Sequence, residues 1–231
     1  PATSAHLYAP HSLAYGPDGG LYMDSILRIR RVSPDGVIRT IAGTGSFALP
    51  PPADDVPALQ ADLSAADFAF DRQGNLYIAD SGNNRVQKFD LEGNVMKAWG
   101  KFGFAWRGAD MGKFDVPWGI TTDQEGNVYV SDTSNARVQK FQEDGQPLLK
   151  WGRDGSFDGA FFFPRGVAVD FVGNIFVADE SNNRIQKFDA RGSFLTKWGR
   201  EGHGPGQFKS PWGIACDALG NVYVVDNGNH R

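Results

Sequence analysis

The chain has 231 residues, is 41% hydrophobic and 22% charged, and carries a formal net charge of −4. That balance gives no global attraction to nucleic acid or anionic lipid, and no apolar run approaches the ~20 residues that span a bilayer. A single cysteine, Cys216, excludes an intramolecular disulfide and reads as an inert buried thiol on a strand.

Taken from the N-terminus, residues 10–16 read as a loose first strand, and Gly19-Gly-Leu-Tyr-Met opens the second. The next unit starts with residues 65–71 and continues as Gly74-Asn-Leu-Tyr-Ile-Ala-Asp-Ser-Gly-Asn-Asn-Arg-Val-Gln-Lys-Phe89. The phrase returns as Gly126-Asn-Val-Tyr-Val-Ser-Asp-Thr-Ser-Asn-Ala-Arg-Val-Gln-Lys-Phe141, then from Gly173 to Phe188, and finally from Gly220 to Arg231. The glycines Gly19, Gly74, Gly126, Gly173 and Gly220 are 55, 52, 47 and 47 residues apart. Self-similarity at that period marks a propeller or repeat array.

Each full unit contains four short strands. In the third unit these are Pro117-Trp-Gly-Ile-Thr-Thr-Asp123, residues 127–131, residues 137–141 and residues 148–152. Runs of β-formers broken by Gly, Asn and Asp are hairpin signals. The second strand, as in Leu76-Tyr77-Ile78-Ala79, is apolar on both alternating faces, so both faces are expected to be covered. The expected fold is all-β: a β-propeller of four-stranded antiparallel blades over residues 10–45, 65–100, 117–152 and 164–199, with part of a fifth at 211–231, as one domain over 1–231.

The phrase Phe208-Lys-Ser-Pro-Trp-Gly-Ile-Ala-Cys-Asp217, with the continuation from Gly220 to Arg231, resembles the NHL repeat. That resemblance covers nearly the whole chain and implies a β-propeller, commonly six-bladed. The first unit, with Pro1-Ala-Thr-Ser-Ala and residues 13–22 and 28–43, resembles the variant found in teneurins and bacterial extracellular proteins, which implies an extracellular or cell-surface setting. Four and a half blades fall short of six. The sequence is therefore expected to be an excerpt of a longer protein, or to self-associate to complete the ring.

Strand order sends the loops after strands two and four to one face, which receives residues 80–85, 132–137 and 179–184 and the long connectors 100–116, 152–163 and 199–210. Long loops on a rigid scaffold are where binding resides. The repeated Asp-x-x-Asn-x-Arg loops (Asp80 and Arg85, Asp132 and Arg137, Asp179 and Arg184, Asp226 and Arg231) read as structural turns, because a site used once need not be copied into every blade. Asp71, Asp123, Asp170 and Asp217 likewise read as turn-formers, and Phe114, Phe161 and Phe208 as plugs.

Residues that break the repeat carry the functional expectation. The second position of the first strand is His11, Ala66, Trp118, Arg165 and Trp212 in successive units. Placed at the mouth of a central channel, His11, Trp118, Arg165 and Trp212 form a ring able to stack on or hydrogen-bond a ligand, or else fill space between blades. Phe102, Phe104, Trp106, Arg107, Phe162 and Phe163 add connector side chains, read as a partner surface or as packing against a neighbouring blade.

The leading expectation is a non-catalytic module binding a protein, glycan or cell-surface ligand through the long-loop face, with no cofactor and no metal. The alternatives are a metal-dependent lyase or hydrolase working in the channel, as in some enzymes of the family, and single-stranded RNA binding, known from other members. Zinc needs three or four protein ligands, and only His11 of His6, His11, His203 and His230 maps to the channel mouth. Arg107, Arg153, Arg165 and Arg200 are too scattered for a basic stripe.

Overall fold

The protein was analysed as a computed structural model that describes residues 7, 10–25, 27–46, 56–104 and 110–231. Four sheets have four antiparallel strands each, hydrogen-bonded in chain order, and a fifth has two. The first blade comprises β1 (Leu13–Tyr15), β2 (Leu21–Asp24), β3 (Ile29–Val32) and β4 (Ile38–Ala42). The second comprises β5 (Ala65–Phe70), β6 (Leu76–Asp80), β7 (Arg85–Phe89) and β8 (Val95–Trp99). The third is β9 (Pro117–Thr122), β10 (Val128–Asp132), β11 (Arg137–Phe141) and β12 (Pro147–Trp151). The fourth is β13 (Pro164–Val169), β14 (Ile175–Asp179), β15 (Arg184–Phe188) and β16 (Phe194–Trp198), and the fifth sheet pairs β17 (Pro211–Cys216) with β18 (Val222–Asp226). No α-helix occurs among the described residues.

The turns follow directly from the sequence. Gly74, Gly126, Gly173 and Gly220 close the β5–β6 turn and its equivalents at φ of 84 to 89°, a left-handed conformation that glycine adopts without penalty. Ahead of each, an Asp caps the turn: Asp123 accepts the Asn127 N–H at 2.8 Å, its Nδ2 at 2.8 Å and the Tyr129 hydroxyl at 3.0 Å. After the second strand, a single 3-10 turn ends in a left-handed residue, Asn84, Ala136, Asn183 or His230.

The core lies between blades. One layer holds Tyr77, Ala79 and Val86 against Phe114, Ile120, Val128, Val130 and Phe141, and the next holds Tyr129 and Val138 against Phe161, Val167, Ile175, Val177 and Phe188. The strands β6, β10 and β14 are buried at every position, as the two-sided apolar pattern requires. Burial of each large ring contributes about 2 to 3 kcal/mol of hydrophobic stabilisation. Phe114 and Phe161 are fully buried, and Gly100 and Gly152 leave room for them, since a Cβ at either would sit 2.6 Å from the phenylalanine ring. The fifth sheet departs from the pattern: Tyr223 is 59% and Val225 55% exposed, where their counterparts Tyr77 and Ala79 are 0%. Among the described residues no sheet covers that face of β18. Cys216, expected to be buried, is only partly so, and it lines the axial channel. Burial still pushes its thiol up to about 11.

The first blade is also shorter than its sequence suggests. The N–H groups of His11 and Ser12 both donate to the Asp24 carboxylate, at 2.6 and 2.7 Å, and regular pairing of β1 with β2 begins only at Leu13.

Candidate functional site

The inner strands β5, β9, β13 and β17 pack side by side around an axis. Their close approach needs glycine at the third position of β9 and β13. A Cβ at Gly166 would lie 2.5 Å from the Trp212 carbonyl oxygen and 2.9 Å from the Ile214 nitrogen. A cavity of about 570 Å³ follows the axis, walled by β1, β5, β9, β13, β17 and β18. A second, of about 340 Å³, opens at the tight-turn end among Asp71, Asp123, Asp170 and Asp217.

At the opposite end the second-position side chains converge. His11, Trp118 and Trp212 make a triangle of rings, with centroids 6.2 Å apart for His11 with Trp118, 6.2 Å for His11 with Trp212 and 5.9 Å for Trp118 with Trp212. They come from alternate blades, the first, third and fifth. Ala66 and Arg165 fill the intervening positions. The Arg165 guanidinium lies 3.9 Å from the Trp118 ring centroid and 5.3 Å from that of Trp212, a double cation–π arrangement.

Three residues not singled out in the sequence organise this mouth. Glu180 accepts from Arg165 Nε at 2.7 Å and from Trp212 Nε1 at 3.2 Å, so one carboxylate fixes both side chains. It stands in the 3-10 turn where other units have Ser81, Thr133 or Asn227, a departure visible in the alignment of repeats. Asp24 is the first blade's counterpart of Asp80, but Ile29 replaces the arginine opposite it, and His11 Nδ1 lies 3.2 Å from its carboxylate instead. Asp67 stands where β9, β13 and β17 have glycine. It accepts the Ser12 hydroxyl from one side and the Ile120 N–H, at 3.0 Å, from the other, tying three inner strands together. Desolvation pushes the Asp67 carboxyl up to about 6, against the pull of Ser12, Ile120 and Phe68 donors and with a small push from Asp24.

The repeated loops are closed circuits. Asp179 accepts from the Phe162 N–H at 2.8 Å, Asn182 Nδ2 at 2.9 and 3.1 Å, Arg184 Nε at 2.7 Å and Gln186 Nε2 at 3.0 Å. Asp80 with Arg85, Asp132 with Arg137 and Asp226 with Arg231 repeat the pattern at 2.8, 2.7 and 2.9 Å. Desolvation raises the Asp132 and Asp179 carboxyls above the ordinary range, opposed by the N–H donors and guanidinium around them. These turns also hold the connectors: the N–H groups of Thr133 and Ser134 donate to the Val116 and Asp115 carbonyls, and those of Glu180 and Ser181 to Phe163 and Phe162. Turn and connector therefore share the face of the mouth.

Among the connector aromatics, Phe102, Phe104, Phe162 and Phe163 are exposed. Phe102 packs edge-on against Phe104 at 4.5 Å, and Phe162 stacks on Phe163 at 5.1 Å. Trp106 and Arg107 lie outside the described residues. No group of three or more His, Cys, Asp or Glu among the described residues has metal-holding geometry, and none of their helices is long and apolar enough to cross a membrane.

Residues 63–89, 114–141, 161–188 and 208–231 match the NHL repeat model. Over 89 residues the chain is 33% identical to NHL repeat-containing protein 3 of Homo sapiens, covering 36% of this chain and 26% of that protein. Over 47 residues it is 47% identical to protein lin-41 of Caenorhabditis elegans, covering 20% of this chain and 4% of that protein. The chain thus spans about a quarter or less of these relatives. Among solved structures it superposes on selenomethionine-substituted virginiamycin B lyase from Staphylococcus aureus with a TM-score of 0.63 at 16% identity, covering 94% of this chain and 63% of that one. It superposes on a chain of a Nidogen/Laminin complex with a TM-score of 0.66 at 21% identity, covering 95% and 72%. At these identities the likeness concerns the β-propeller fold.

Proposed function

From a chain that belongs to the NHL-repeat β-propellers, we propose a non-catalytic interaction module that engages a protein or glycan ligand through its long-loop face. One observation carries this reading. The side chains that depart from the repeat (His11, Trp118, Arg165, Trp212 and Glu180) gather at the one end of the channel where turns and long connectors also meet. Residues that serve only the fold recur in every blade, whereas these differ from blade to blade. The aromatic triangle supplies an apolar floor, Arg165 and Glu180 supply polar edges, and the exposed Phe102, Phe104, Phe162 and Phe163 extend the surface outward. An extracellular setting belongs to the same proposal and rests on the first unit's resemblance.

The test is affinity capture and glycan-array binding with the intact chain and with a Trp118→Ala, Trp212→Ala double variant whose fold is checked by circular dichroism. Loss of the captured ligands by the variant is the expected result. Retention of every ligand at unchanged affinity refutes the placement of the site.

A second reading, a lyase or hydrolase, is favoured by the His11 and Asp24 pair, in which a buried carboxylate orients an imidazole at the channel mouth. Turnover abolished by His11→Ala while ligand binding persists would establish it over the first.

A further inference from the structure

Arg165 is the side chain of the mouth with donors left to spend, and we propose that it captures the carboxylate of a peptide ligand carrying an apolar side chain beside that group. The inference rests on the reading of the mouth as a binding site and adds the chemistry of what it binds.

Arg165 is immobilised on three sides. Its face is held over Trp118 and Trp212, and its Nε is held by Glu180, whose other oxygen is anchored by Trp212 Nε1. A guanidinium has five N–H donors. Glu180 takes the one on Nε, and the four terminal donors have no acceptor among the described residues. The arginines of the repeat loops behave differently. Arg184 spends its terminal nitrogens on the carbonyls of Ser156, Phe157 and Ala160, at 2.7, 2.9 and 2.9 Å. An arginine that serves the fold thus has an acceptor at every nitrogen, whereas Arg165 presents a rigid, planar edge of unused donors in a setting where its side chain is only 18% exposed. In such a partly dry site a charge-assisted bond to a ligand is stronger than in bulk water, and the side chain's conformational entropy has already been lost.

The geometry and charge select the acceptor. A planar fork matches a carboxylate bidentately. The mouth already contains three carboxylates, Glu180, Asp24 and Asp67, against one guanidinium and one imidazole, in a chain of net charge −4. A monoanion is tolerated there, while a dianionic phosphate meets stronger repulsion. The neighbouring apolar element is the stacked pair Phe162 and Phe163, which leads directly into Pro164 and Arg165. Their carbonyls accept the N–H groups of Ser181 and Glu180, at 3.1 and 3.3 Å, so the turn that orients Arg165 also fixes this platform. Carboxylate fork and phenylalanine platform side by side suit a peptide carboxylate flanked by an apolar side chain.

The test is an NMR titration of the intact chain, following the indole N–H signals of Trp118 and Trp212 and the Nε–H of Arg165. The probes are N-acetyl-phenylalanine as its carboxylate, its uncharged carboxamide, and inorganic phosphate. Saturable shifts are expected for the carboxylate at millimolar affinity, with the carboxamide and phosphate weaker by about tenfold or more. Arg165→Gln abolishes the preference, and Arg165→Lys, which keeps the charge without the fork, reduces it. Equal binding of carboxylate and carboxamide overturns the carboxylate inference while leaving the mouth as a binding site. Phosphate binding as tightly as the carboxylate, or the absence of shifts with all three probes, also overturns it.

Discussion

Removing the guanidinium of Arg184 tests how the repeated loops hold the propeller. In Arg184→Met the apolar stem is kept, and the Asp179 carboxylate, at 0% side-chain exposure, loses its ion-pair partner. Asp179 keeps the donors of Phe162, Asn182 and Gln186, so its hydrogen bonds survive in part. Stranding a buried charge in this way costs about 3 to 5 kcal/mol. The carbonyls of Ser156, Phe157 and Ala160 lose donors as well, at about 0.5 to 1 kcal/mol each, offset in part by water. A total near 4 kcal/mol lowers the melting temperature by roughly 8 to 16 °C in a chain of this size. Lys197→Met provides the control. Its partner Asp158 makes an ion pair of the same type, but the two side chains are 45% and 50% exposed, and removing such a pair costs about 0 to 1 kcal/mol. Burial already raises the Asp179 carboxyl, and without Arg184 it rises further, so the penalty shrinks as pH is lowered and Asp179 takes up a proton. Differential scanning calorimetry of both variants at pH 5 and pH 8 measures all of this. Penalties within about 1 kcal/mol of each other, or a penalty for Arg184→Met that grows toward acid pH, refute the reasoning.

Four further outcomes are expected. Ala136 holds φ at 51°, where Asn84 and Asn183 occupy the equivalent turns and accept the N–H groups of Val116 and Ser210, at 2.8 and 2.9 Å; Ala136→Asn relieves the strain and offers an acceptor to Phe163 N–H, so thermal unfolding should show stabilisation of about 1 to 2 kcal/mol. Gly166→Ala drives a methyl against the backbone of β17 and should destabilise by about 2 kcal/mol or more, whereas Gly206→Ala, with open space around its Cβ at φ 70°, should cost about 1 kcal/mol. Burial pushes the Asp67 carboxyl up to about 6, above the ordinary carboxylate range, so the folded state binds its proton more readily and its contribution to stability falls as pH rises from about 4 to 7. Denaturant titrations should therefore find Asp67→Asn becoming more favourable relative to wild type by roughly 2 kcal/mol across that range, and a constant difference contradicts the shift. Cys216, with its thiol near 11, should react with a thiol-specific reagent far more slowly at pH 7.5 than a free cysteine, and equal rates contradict its placement.

The blades were legible because their decisive bonds are local. An Asp satisfies an Asn four residues on, a glycine supplies the left-handed turn, and strand two pairs with strand three across a single 3-10 turn. Such short-range chemistry repeats whenever the sequence repeats. That the second positions of the inner strands share one level of the channel also followed from the period. What they do there did not. Glu180 reads as one more turn residue until it is found 15 residues from Arg165 and 32 from Trp212 in sequence, yet bonded to both.

The sequence by itself determined the strand order, the turn chemistry and the two-sided burial of the second strands, since each depends on residues within a few positions of one another. Only the tertiary structure decided that His11 meets Trp212 across the axis, and that Asp67 and Ser12 replace the glycine contact between inner strands. It also decided that Arg165 keeps donors which Arg184 has spent. The physical reason is common to all three. A repeat prescribes each blade from within, but what lies at the axis depends on the few ångströms separating chains from different blades. There one side chain's partners come from wherever the curvature of the ring brings them.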